Sequence, residues 1–421
     1  MIRAIGLMRG DPLQFLTRAW QAHGDVVQFP IPRPPTYLVT EPSAVRDILV
    51  GRIGSFNKQT IQYKSLSLVT GTGLLTSDDP PWRERRRVLQ PTFHHEAIGA
   101  IAGHMTAAIE QCCEQWQTLP PGSVVDVDRA MTELSLRASA AALFGIEVGS
   151  GADMLGKASV AALDAVVARA RNPFGAVLPP SRRMKRSADQ LDAFVDKVIA
   201  ARLAEPGHAN RTPDIVDVLL QAQNDPTNGI DADAVRDEMV TALVAGHETV
   251  ASALTWVWYL LGQHPEVAHR LRHEVDSQAD DSLPLTRAIV HETLRLYPPA
   301  WVITRRSEAH TAMGRFEIPA QSLLIMSPWL IHRHPRIWSN PEAFDPDRFL
   351  SESEQRVGYL PFGVGPRQCI GRDMALLECV IAIAQLTRRC SFEALDDLQP
   401  KVLASVTARP ADGLRMKLVW R

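Results

Sequence analysis

The sequence predicts a mainly α-helical protein with small β-sheets, an α+β fold. Two observations support this prediction. Apolar residues recur with the helical period over long segments, whereas the pieces rich in β-branched and aromatic residues are short. Helical periodicity covers residues 83–117, 126–144, 152–170, 184–204, 213–223, 231–263, 264–276, 285–296 and 370–389, and the strand-like pieces lie within 25–40, 301–306, 315–318, 322–326 and 413–420.

The first strands lie in DVVQFPIPRPPTYLVT, residues 25–40. β-Branched and aromatic residues flank a run of prolines there, and proline disfavours a helix because it has no amide donor. Two later segments, 171–183 and 205–213, are polar and rich in proline and glycine, which is typical of exposed connectors or lids.

The central helical segment is long enough to cross a bilayer. It contains MVTALVAGHETVASALTWVWYLL, residues 239–261, with Glu248 near its middle. A carboxylate at the centre of an isolated span costs about 2.5–3.5 kcal/mol. A helix through the core of a globular protein accounts for the same residues without that cost.

Length and composition restrict the class of protein. The 421 residues and 46.5 kDa predict two or three domains by length alone, although no repeat or low-complexity tract divides the chain. A net charge of -2 and a pI near 6.7 give no reason to expect nucleic acid or an anionic membrane surface as a partner. Arg3, Arg9 and Asp11 interrupt the N-terminal apolar residues, so neither a signal peptide nor a membrane anchor is expected.

The cysteines and histidines suggest no zinc or disulfide framework. The chain has 5 cysteines and no C-x-x-C pair, which favours a reducing, cytoplasmic location. Cys112 and Cys113 point about 100° apart on a helix and are expected to be packing residues. No cysteine or carboxylate stands at ligand spacing from the paired histidines, which are His94, His95, His332 and His334.

One cysteine differs from the others in its surroundings. Cys369 lies in FGVGPRQCIGRDMA, residues 362–375, where a glycine-rich loop enters a helix. Such a loop lets the backbone approach a flat partner, and the helix N-terminus stabilises a metal-bound thiolate. Two other interpretations are a buried free cysteine and a nucleotide-binding loop beginning Gly363-x-Gly365, but the latter has Gln368 at its sixth position and no βαβ context.

The loop F-G-x-G-x-R-x-C-x-G resembles the haem-binding loop of the cytochrome P450 family. Its matching residues are Phe362, Gly363, Gly365, Arg367, Cys369 and Gly371. Three further segments match the family in the expected order: AGHET at 245–249, HETLRLYPP at 291–299 and FDPDRF at 344–349. The resemblance covers essentially the whole chain and implies one domain, residues 1–421, of the family's triangular shape.

The resemblance implies roles for these segments. Haem b would lie between the helix 231–263 and the helix after the cysteine loop, with its iron bound by the Cys369 thiolate. Glu248 and Thr249 would order water and deliver protons to bound dioxygen, beside Ala245 and Gly246. A glycine inside a helix costs about 1 kcal/mol relative to alanine. At Gly246 two compatible reasons would account for it: close approach of the flat cofactor, and a local opening of the helix where the Thr249 hydroxyl competes for the Ala245 carbonyl. Glu292, Arg295 and Arg348 would form a structural triad.

The resemblance also implies cations at the haem propionates. Trp82 and Arg86 match W-x-x-x-R, Arg305 follows the E-x-x-R helix with Arg306 as the alternative, and Arg367 is the fourth candidate. The helix that carries Trp82 and Arg86 has further arginines, which would face an acidic electron-transfer protein. They are Arg83, Arg85 and Arg87. Electrons would come from NAD(P)H through a separate ferredoxin and ferredoxin reductase, and the protein is expected to be a monomer.

The expected activity is haem-thiolate monooxygenation, the hydroxylation or epoxidation of a hydrophobic small molecule in secondary metabolism: a terpenoid, a polyketide or a fatty acyl chain. The substrate pocket is expected to include Leu243, Val250, Trp301, Val302, Ser405 and Val406. Two alternatives remain: non-monooxygenase chemistry on the same scaffold (oxidative coupling, dehydration or isomerisation) and a haem-binding sensor. The Glu248–Thr249 pair favours oxygen activation over both.

Overall fold

The structure is a computed structural model with a mainly helical architecture. It describes residues 10–31, 34–93, 99, 101–149, 152–172, 175, 178–204, 213–277, 282–313, 316–350, 357–395 and 398–421. Most of the predicted connector 205–213 lies outside these ranges. The prediction of a mainly α fold with small sheets is confirmed.

The helices run along the chain in the following order. They are α1 (Pro12–His23), α2 (Pro42–Arg46), α3 (Ile61–Thr70), α4 (Pro81–Leu89), α5 (Ile101–Gln117), α6 (Val127–Phe144), α7 (Ala152–Arg171), α8 (Arg182–Ala204), α9 (Ile215–Gln223), α10 (Ala232–Gln263), α11 (Pro265–Ser277), α12 (Pro284–Leu296), α13 (Pro328–Ile331) and α14 (Arg372–Arg389). A π-helical turn, Asp47–Gly51, continues α2.

The strands form small sheets at the edges of the helical body. They are β1 (Val26–Phe29), β2 (Thr36–Val39), β3 (Phe56–Asn57), β4 (Val124–Asp126), β5 (Ile303–Ser307), β6 (Thr311–Met313), β7 (Phe316–Ile318), β8 (Leu323–Met326), β9 (Cys390–Ala394), β10 (Val402–Ala404), β11 (Ala408–Pro410) and β12 (Arg415–Trp420). One sheet has the order β1-β2-β8-β5-β3, another has β4-β12-β9, and β6–β7 and β10–β11 are hairpins.

Helix α10 passes through the hydrophobic core and carries the predicted AGHET segment. Asp231 caps its N-terminus by accepting from the amide of Ala234, and Trp256 is fully buried near its other end. The helix packs against α6, α12 and α14. Because apolar residues surround it on most faces, its 32 residues are accounted for as a core helix. No helix in the described ranges is long and apolar enough to span a membrane.

One sequence-based helix was wrong in its extent, and one helix of the structure was not predicted. The predicted helix 83–117 is two helices, because α4 ends at Leu89 and a 3₁₀ turn, Gln90–Phe93, contains Pro91. Helix α1 was not predicted, although Asp11 caps it and Pro12 opens it, a recognisable start signal. Short helices are missed because a few turns give little periodicity to detect.

Candidate active site

The cysteine loop bends sharply and joins the N-terminus of α14. Gly363 and Gly365 have φ values of 68° and 78°, in the left-handed region that side chains disfavour. A Cβ on Gly365 would lie 2.7 Å from the Leu49 carbonyl oxygen, so the loop also needs glycine for space. The Cys369 amide donates to the Phe362 carbonyl at 2.9 Å, which holds the cysteine at the end of the turn.

The Cys369 side chain is accessible although protein surrounds it closely. Its surface is accessible, yet enough protein surrounds it that burial raises the pKa of the thiol. The two observations agree if the thiol faces an enclosed cavity instead of bulk solvent. The Gly371 amide and the Arg86 guanidinium act in the opposite direction and lower the pKa of the same thiol. The Gly371 hydrogen bond and the Arg86 charge would favour a thiolate once a metal takes the proton's place.

Helix α10 presents one partly accessible stripe in the middle of the core. Ala242, Ala245, Gly246 and Thr249 lie three or four residues apart and share one face, while the residues between them are buried. Accessible surface inside a protein core requires an internal space beside it. The stripe therefore marks a cavity along α10.

Gly246 has a packing role that the sequence did not indicate. A Cβ at this position would lie 3.3 Å from Leu143 and 3.6 Å from Ser139 Oγ, both on α6. The glycine thus permits close packing of α6 on α10, in addition to the room for a cofactor that was expected from the sequence. Thr249 Oγ1 donates to the Ala245 carbonyl at 3.0 Å, and α10 nevertheless continues without interruption.

Glu248 is buried next to the accessible stripe. Its Oε2 atom accepts a hydrogen bond of 2.8 Å from Thr407 Oγ1, in the turn between β10 and β11. Thr407 is also buried. No sequence pattern indicated this contact, because the two residues are 159 positions apart.

The predicted cations gather on one side of the cysteine loop. Arg86 donates to the Gln368 carbonyl at 2.8 Å, which ties α4 to that loop. The Arg367 guanidinium carbon lies 4.5 Å from the centre of the Trp82 ring, and Arg367 donates to the Ser77 carbonyl at 2.8 Å. Arg367 also has Asp79 at 3.5 Å as an acidic neighbour.

Strand β5 turns Arg305 inward. Arg305 is 5% exposed and donates to the Thr304 carbonyl at 2.8 Å and to the Tyr63 hydroxyl at 3.4 Å. Arg306 lies on the opposite face of the strand and is more exposed, because successive side chains alternate. The structure therefore favours Arg305 over Arg306 as the inward cation.

Lys58 is a buried cation that the sequence analysis missed. Its Nζ donates to the Leu75 carbonyl at 2.7 Å and lies 5.3 Å from the centre of the Tyr63 ring. Burial and the charges of Arg305 and Arg367 lower the pKa of Lys58 well below its ordinary value of 10.5. A lone lysine in a polar stretch resembles a surface residue, so no sequence pattern would have singled it out.

These features fit the haem that the resemblance implies. Cys369 is accessible within close protein surroundings, α10 offers a small-residue face, and buried cations could meet carboxylates. The side-chain hydrogen bonds of Lys58, Arg86 and Arg305 go to neutral oxygens within the described ranges. A buried cation that is not bonded to an acid is costly, so an anionic ligand would relieve the site.

The predicted triad comes together at the C-terminal half of α12. Arg295 binds Glu292 with two hydrogen bonds of 2.7 and 2.8 Å, and both side chains are 0% exposed. Arg348 lies 3.3 Å from the same carboxylate. Arg295 also donates to three backbone carbonyls, those of His332, Pro341 and Ala343.

The three arginines predicted to face an electron donor do not share one surface. Arg85 is buried and lies 3.3 Å from Glu238, so it is unavailable to a partner, which corrects the sequence-based grouping. Arg83 and Arg87 are exposed and, being four residues apart, share one face of α4. Arg85 lies two residues from each of them and therefore points to a different face.

Several of the predicted pocket residues pack elsewhere. Leu243 and Val250 are buried on faces of α10 outside the accessible stripe, and Trp301 belongs to the cluster beneath α1 and β1. A wall of an open pocket would keep some accessible surface, which Leu243 lacks. Val302 also packs in the α1 cluster, Ser405 is buried, and Val406 packs against the same cluster as Leu243.

The histidines have structural roles where they are described. His332 is fully buried, its Nε2 accepts from the Leu360 amide at 2.8 Å, and burial lowers its pKa to about 3. His334 lies 3.0 Å from Asp25. His94 and His95 lie outside the described residues, and the described residues contain no cluster of metal-ligating side chains. Cys112 and Cys113 pack within or against the main core.

The chain matches a known family and several named proteins. A family model described as Cytochrome P450 matches residues 3–417. The chain is 32% identical to cyclooctatin synthase of Streptomyces melanosporofaciens over 425 residues, covering 96% of this chain and 91% of that protein. It is 33% identical to cyclooctat-9-en-7-ol 5-monooxygenase of the same organism over 397 residues, covering 90% and 84%.

Solved structures show the same similarity. The crystal structure of CYP175A1 from Thermus thermophilus has a TM-score of 0.78 and 32% identity, covering 98% of this chain and 96% of that one. A six-coordinated cytochrome P450 from another strain of Thermus thermophilus has a TM-score of 0.75 and 32% identity, covering 98% and 99%.

Proposed function

The chain belongs to the cytochrome P450 family and is a haem-dependent monooxygenase, and we propose that it hydroxylates or epoxidises a hydrophobic terpenoid in secondary metabolism. The proposal includes a single catalytic domain, residues 1–421, and iron ligation by Cys369. The observation that carries it is an accessible Cys369 in surroundings that raise the pKa of its thiol by burial, together with the partly accessible stripe of α10.

The residues around Cys369 would hold the cofactor. Thiolate-ligated haem supplies dioxygen activation and favours O–O cleavage. The Gly371 amide and Arg86 stabilise the charged form of the sulfur, and Phe362 fixes the cysteine backbone through its carbonyl. Gly363 and Gly365 keep the loop tight, so the sulfur stays at the cavity wall.

The cations beside the loop would bind the two haem carboxylates. Arg86, Arg305 and Arg367, with Trp82, make up the set that the family resemblance implies, and Lys58 is our addition. An anion in this site would restore the charge of the lysine, because a nearby negative charge raises the pKa of an amine.

Glu248 and Thr249 would deliver protons to the oxygen-binding side of the cavity. Thr249 lies on the accessible stripe and its hydroxyl is bonded to the Ala245 carbonyl. Glu248 is the adjacent acid, buried next to the stripe. An acid and an alcohol together can order water and pass a proton toward a ligand in the cavity.

The substrate class rests on the named relatives. Proteins 32% and 33% identical to this chain are named for cyclooctatin and cyclooctat-9-en-7-ol, and a third relative, 28% identical, is named pentalenene oxygenase. The stripe that faces the cavity is formed of alanine, glycine and threonine, which suits an apolar ligand. Polyketides and fatty acids are the classes to be tested against terpenes.

Electrons would come from NAD(P)H through a separate ferredoxin and its reductase. Arg83 and Arg87 of α4 are exposed, and α4 is tied to the cysteine loop through Arg86. A cationic surface next to the loop would attract an acidic electron donor.

An optical titration of the purified ferric protein tests the function and the substrate class together. A panel of terpenes, fatty acids, steroids and macrolide precursors would be added in turn, and a fitting ligand shifts the Soret band to the blue by displacing water. We expect a shift with at least one terpene. A shift with fatty acids alone would overturn the terpenoid proposal, and a protein with no Soret band would overturn the haem assignment.

A cysteine substitution tests the iron ligand. Cys369→Ser should remove the carbon monoxide difference band that thiolate ligation produces, while Cys112→Ser, in a packing position, should leave it unchanged. An unaltered band in Cys369→Ser would show that another group binds the iron.

A further inference from the structure

The turn between β10 and β11 is bonded to one face of α10. Glu248, Ser252 and Trp256 lie four residues apart and therefore share that face of the helix. Ser252 Oγ donates to the Ala408 carbonyl at 2.7 Å, and Trp256 Nε1 donates to the same oxygen at 2.8 Å. Thr407 Oγ1 donates to Glu248 Oε2 at 2.8 Å. Three successive positions on this face thus contact two adjacent residues, Thr407 in the turn and Ala408 at the start of β11.

The turn is also held from its other side. The Ala408 amide donates to the Pro299 carbonyl at 3.0 Å, and Trp301 Nε1 donates to the Ser405 carbonyl at 2.8 Å. These bonds do not involve Glu248. The backbone position of Thr407 is therefore fixed by its neighbours, and its hydroxyl is a preorganised donor to the carboxylate.

The hydrogen bond limits the freedom of the acid. A glutamate side chain has several rotatable bonds, and burial alone does not select one rotamer. A hydrogen bond to an ionised acceptor is stronger than one between neutral groups, and burial of Thr407 and Glu248 excludes competing water. Loss of the donor would leave Oε2 without this partner and the carboxylate free to turn.

We propose that Thr407 is a positioning residue that orients the carboxylate of Glu248 for proton delivery. The inference rests on the proposed function, because it requires Glu248 to handle protons in the reaction. Thr407 itself is not placed at the reacting atoms. It acts through the acid, so its effect should vanish when the acid is replaced.

The alternative role for the same contact is structural, as one of the bonds that hold the turn on α10. Ser252 provides the matched control, because it bonds to the same turn from the same face of the helix and its hydroxyl donates to a backbone carbonyl, not to Glu248. Thr407→Ser keeps the hydroxyl, whereas Thr407→Val keeps the shape and removes it.

The experiment compares Thr407→Val, Thr407→Ser, Ser252→Ala and Glu248→Gln with the double variant Thr407→Val/Glu248→Gln. One readout is the infrared stretch of carbon monoxide on the ferrous protein, which reports on polar groups in the cavity. The other is hydrogen peroxide released per NADH with added ferredoxin and reductase, in the presence of the terpene that gives the largest Soret shift.

We expect Thr407→Val to broaden or shift the carbon monoxide band and to raise peroxide release several-fold. Thr407→Ser and Ser252→Ala should resemble the parent protein in both readouts. In the Glu248→Gln background, Thr407→Val should add nothing. If Thr407→Val matches the parent while Glu248→Gln releases more peroxide, the inference about Thr407 is overturned and the proton role of Glu248 stands.

Two further results would count against the inference. Equal effects of Thr407→Val with and without Glu248 would mean that Thr407 acts independently of the acid. A Glu248→Gln variant that retains the parent's peroxide yield would remove the proton role itself, and the proposed function would lose that part.

Discussion

Two buried groups of charges in this protein differ in how they are neutralised. At the triad, the carboxylate of Glu292 meets both Arg295 and Arg348, and Arg295 uses its remaining donors on backbone carbonyls. Beside the cysteine loop, Lys58 and Arg305 bond to neutral oxygens in the described ranges. In the first group both arginines face carboxylates, because Asp345 lies 3.8 Å from Arg348. In the second group Lys58 and Arg305 are hydrogen-bonded to no acid in the described ranges, and Asp78 and Glu238 only partly offset the effect of burial on Lys58.

The difference distinguishes a structural role for the triad from a ligand-binding role for the cations beside the cysteine loop. A buried ion pair contributes little net stability, but loss of one partner is severe because it leaves the other charge buried alone. Buried cations that are not bonded to acids are costly in the haem-free protein and become favourable when an anion binds. Buried cations without a bonded acid are therefore a better indication of an anionic ligand than the presence of arginine in a motif.

The largest effect is expected at the triad. Arg295→Met should lower the free energy of unfolding by about 3–5 kcal/mol, because Glu292 would remain buried without its bidentate partner. Urea unfolding followed by circular dichroism measures it. A loss below about 1 kcal/mol would mean that the pair does not neutralise a buried charge. Arg333→Met serves as a control, because its acidic partner Glu342 is 73% exposed and can be hydrated when the arginine is lost.

Glu378 tests whether a buried carboxyl group without a hydrogen-bond partner keeps its charge. Neither carboxylate oxygen has a hydrogen-bond partner in the described structure, and burial raises the pKa of Glu378 to about 8. The folded protein then holds a proton that the unfolded chain releases near pH 4.5. Stability should fall by up to about 1.4 kcal/mol per pH unit from pH 4.5 to 8 and change little above it.

Urea midpoints of the parent and of Glu378→Gln across this range would isolate the contribution. The difference between the two proteins should change with pH and become constant above about pH 8. Parallel curves from pH 4.5 to 8 would show that Glu378 is ionised in the folded state.

Lys58 tests the second group of charges, the cations beside the cysteine loop. In the haem-free protein, its lowered pKa means that the folded state binds fewer protons than the unfolded chain up to pH 10.5. Stability should therefore rise with pH toward 10.5, and Lys58→Met should remove that slope. Lys58→Met should also leave the haem-free protein at least as stable as the parent, since it removes a buried charge.

Haem retention gives the second measurement at Lys58. Transfer of haem to an apoglobin should be several-fold faster from Lys58→Met than from the parent, and Lys58→Arg should be closer to the parent. Lys64, an exposed lysine on the neighbouring α3, is the control position. Equal transfer rates for Lys58→Met and the parent would remove Lys58 from the binding site.

The smallest effect on stability is expected at Arg83. Its pair with Asp79 is on the surface, with Arg83 74% exposed, and such pairs contribute about 0–1 kcal/mol. Arg83→Ala should leave the melting temperature unchanged yet slow electron transfer from ferredoxin at low salt. Arg85→Ala, two residues away but paired with buried Glu238, should destabilise the fold. The reverse order would contradict the division between exposed and buried arginines on α4.

Much of the candidate site follows from local sequence. The cysteine loop, the E-x-x-R pair and the Ala245–Thr249 segment are short, and their residues meet because of a single turn or a single helix. Glu292 and Arg295 contact each other because residues three apart share a helix face. The sequence could also anticipate that Arg348 joins them, but only through family resemblance.

The contacts that the sequence analysis missed join distant segments. Lys58 contacts Leu75 and Tyr63, which are close to it in sequence. Its pKa is lowered in part by the charges of Arg305 and Arg367, which lie far along the chain. Arg85 has the sequence surroundings of a surface residue, but in the structure it is buried 3.3 Å from Glu238 of α10. Polarity predicts exposure on average, and it fails where another element supplies the opposite charge.

The helical class, the glycine-rich cysteine loop and the charged pair on α12 could all be derived from the amino-acid sequence, because neighbours along a chain are constrained by helical period and by backbone geometry. Three outcomes required the folded chain: Gly246 packs against α6, Arg305 points inward in place of Arg306, and Thr407 reaches Glu248. Those outcomes depend on which elements the topology brings together, and no local pattern records that.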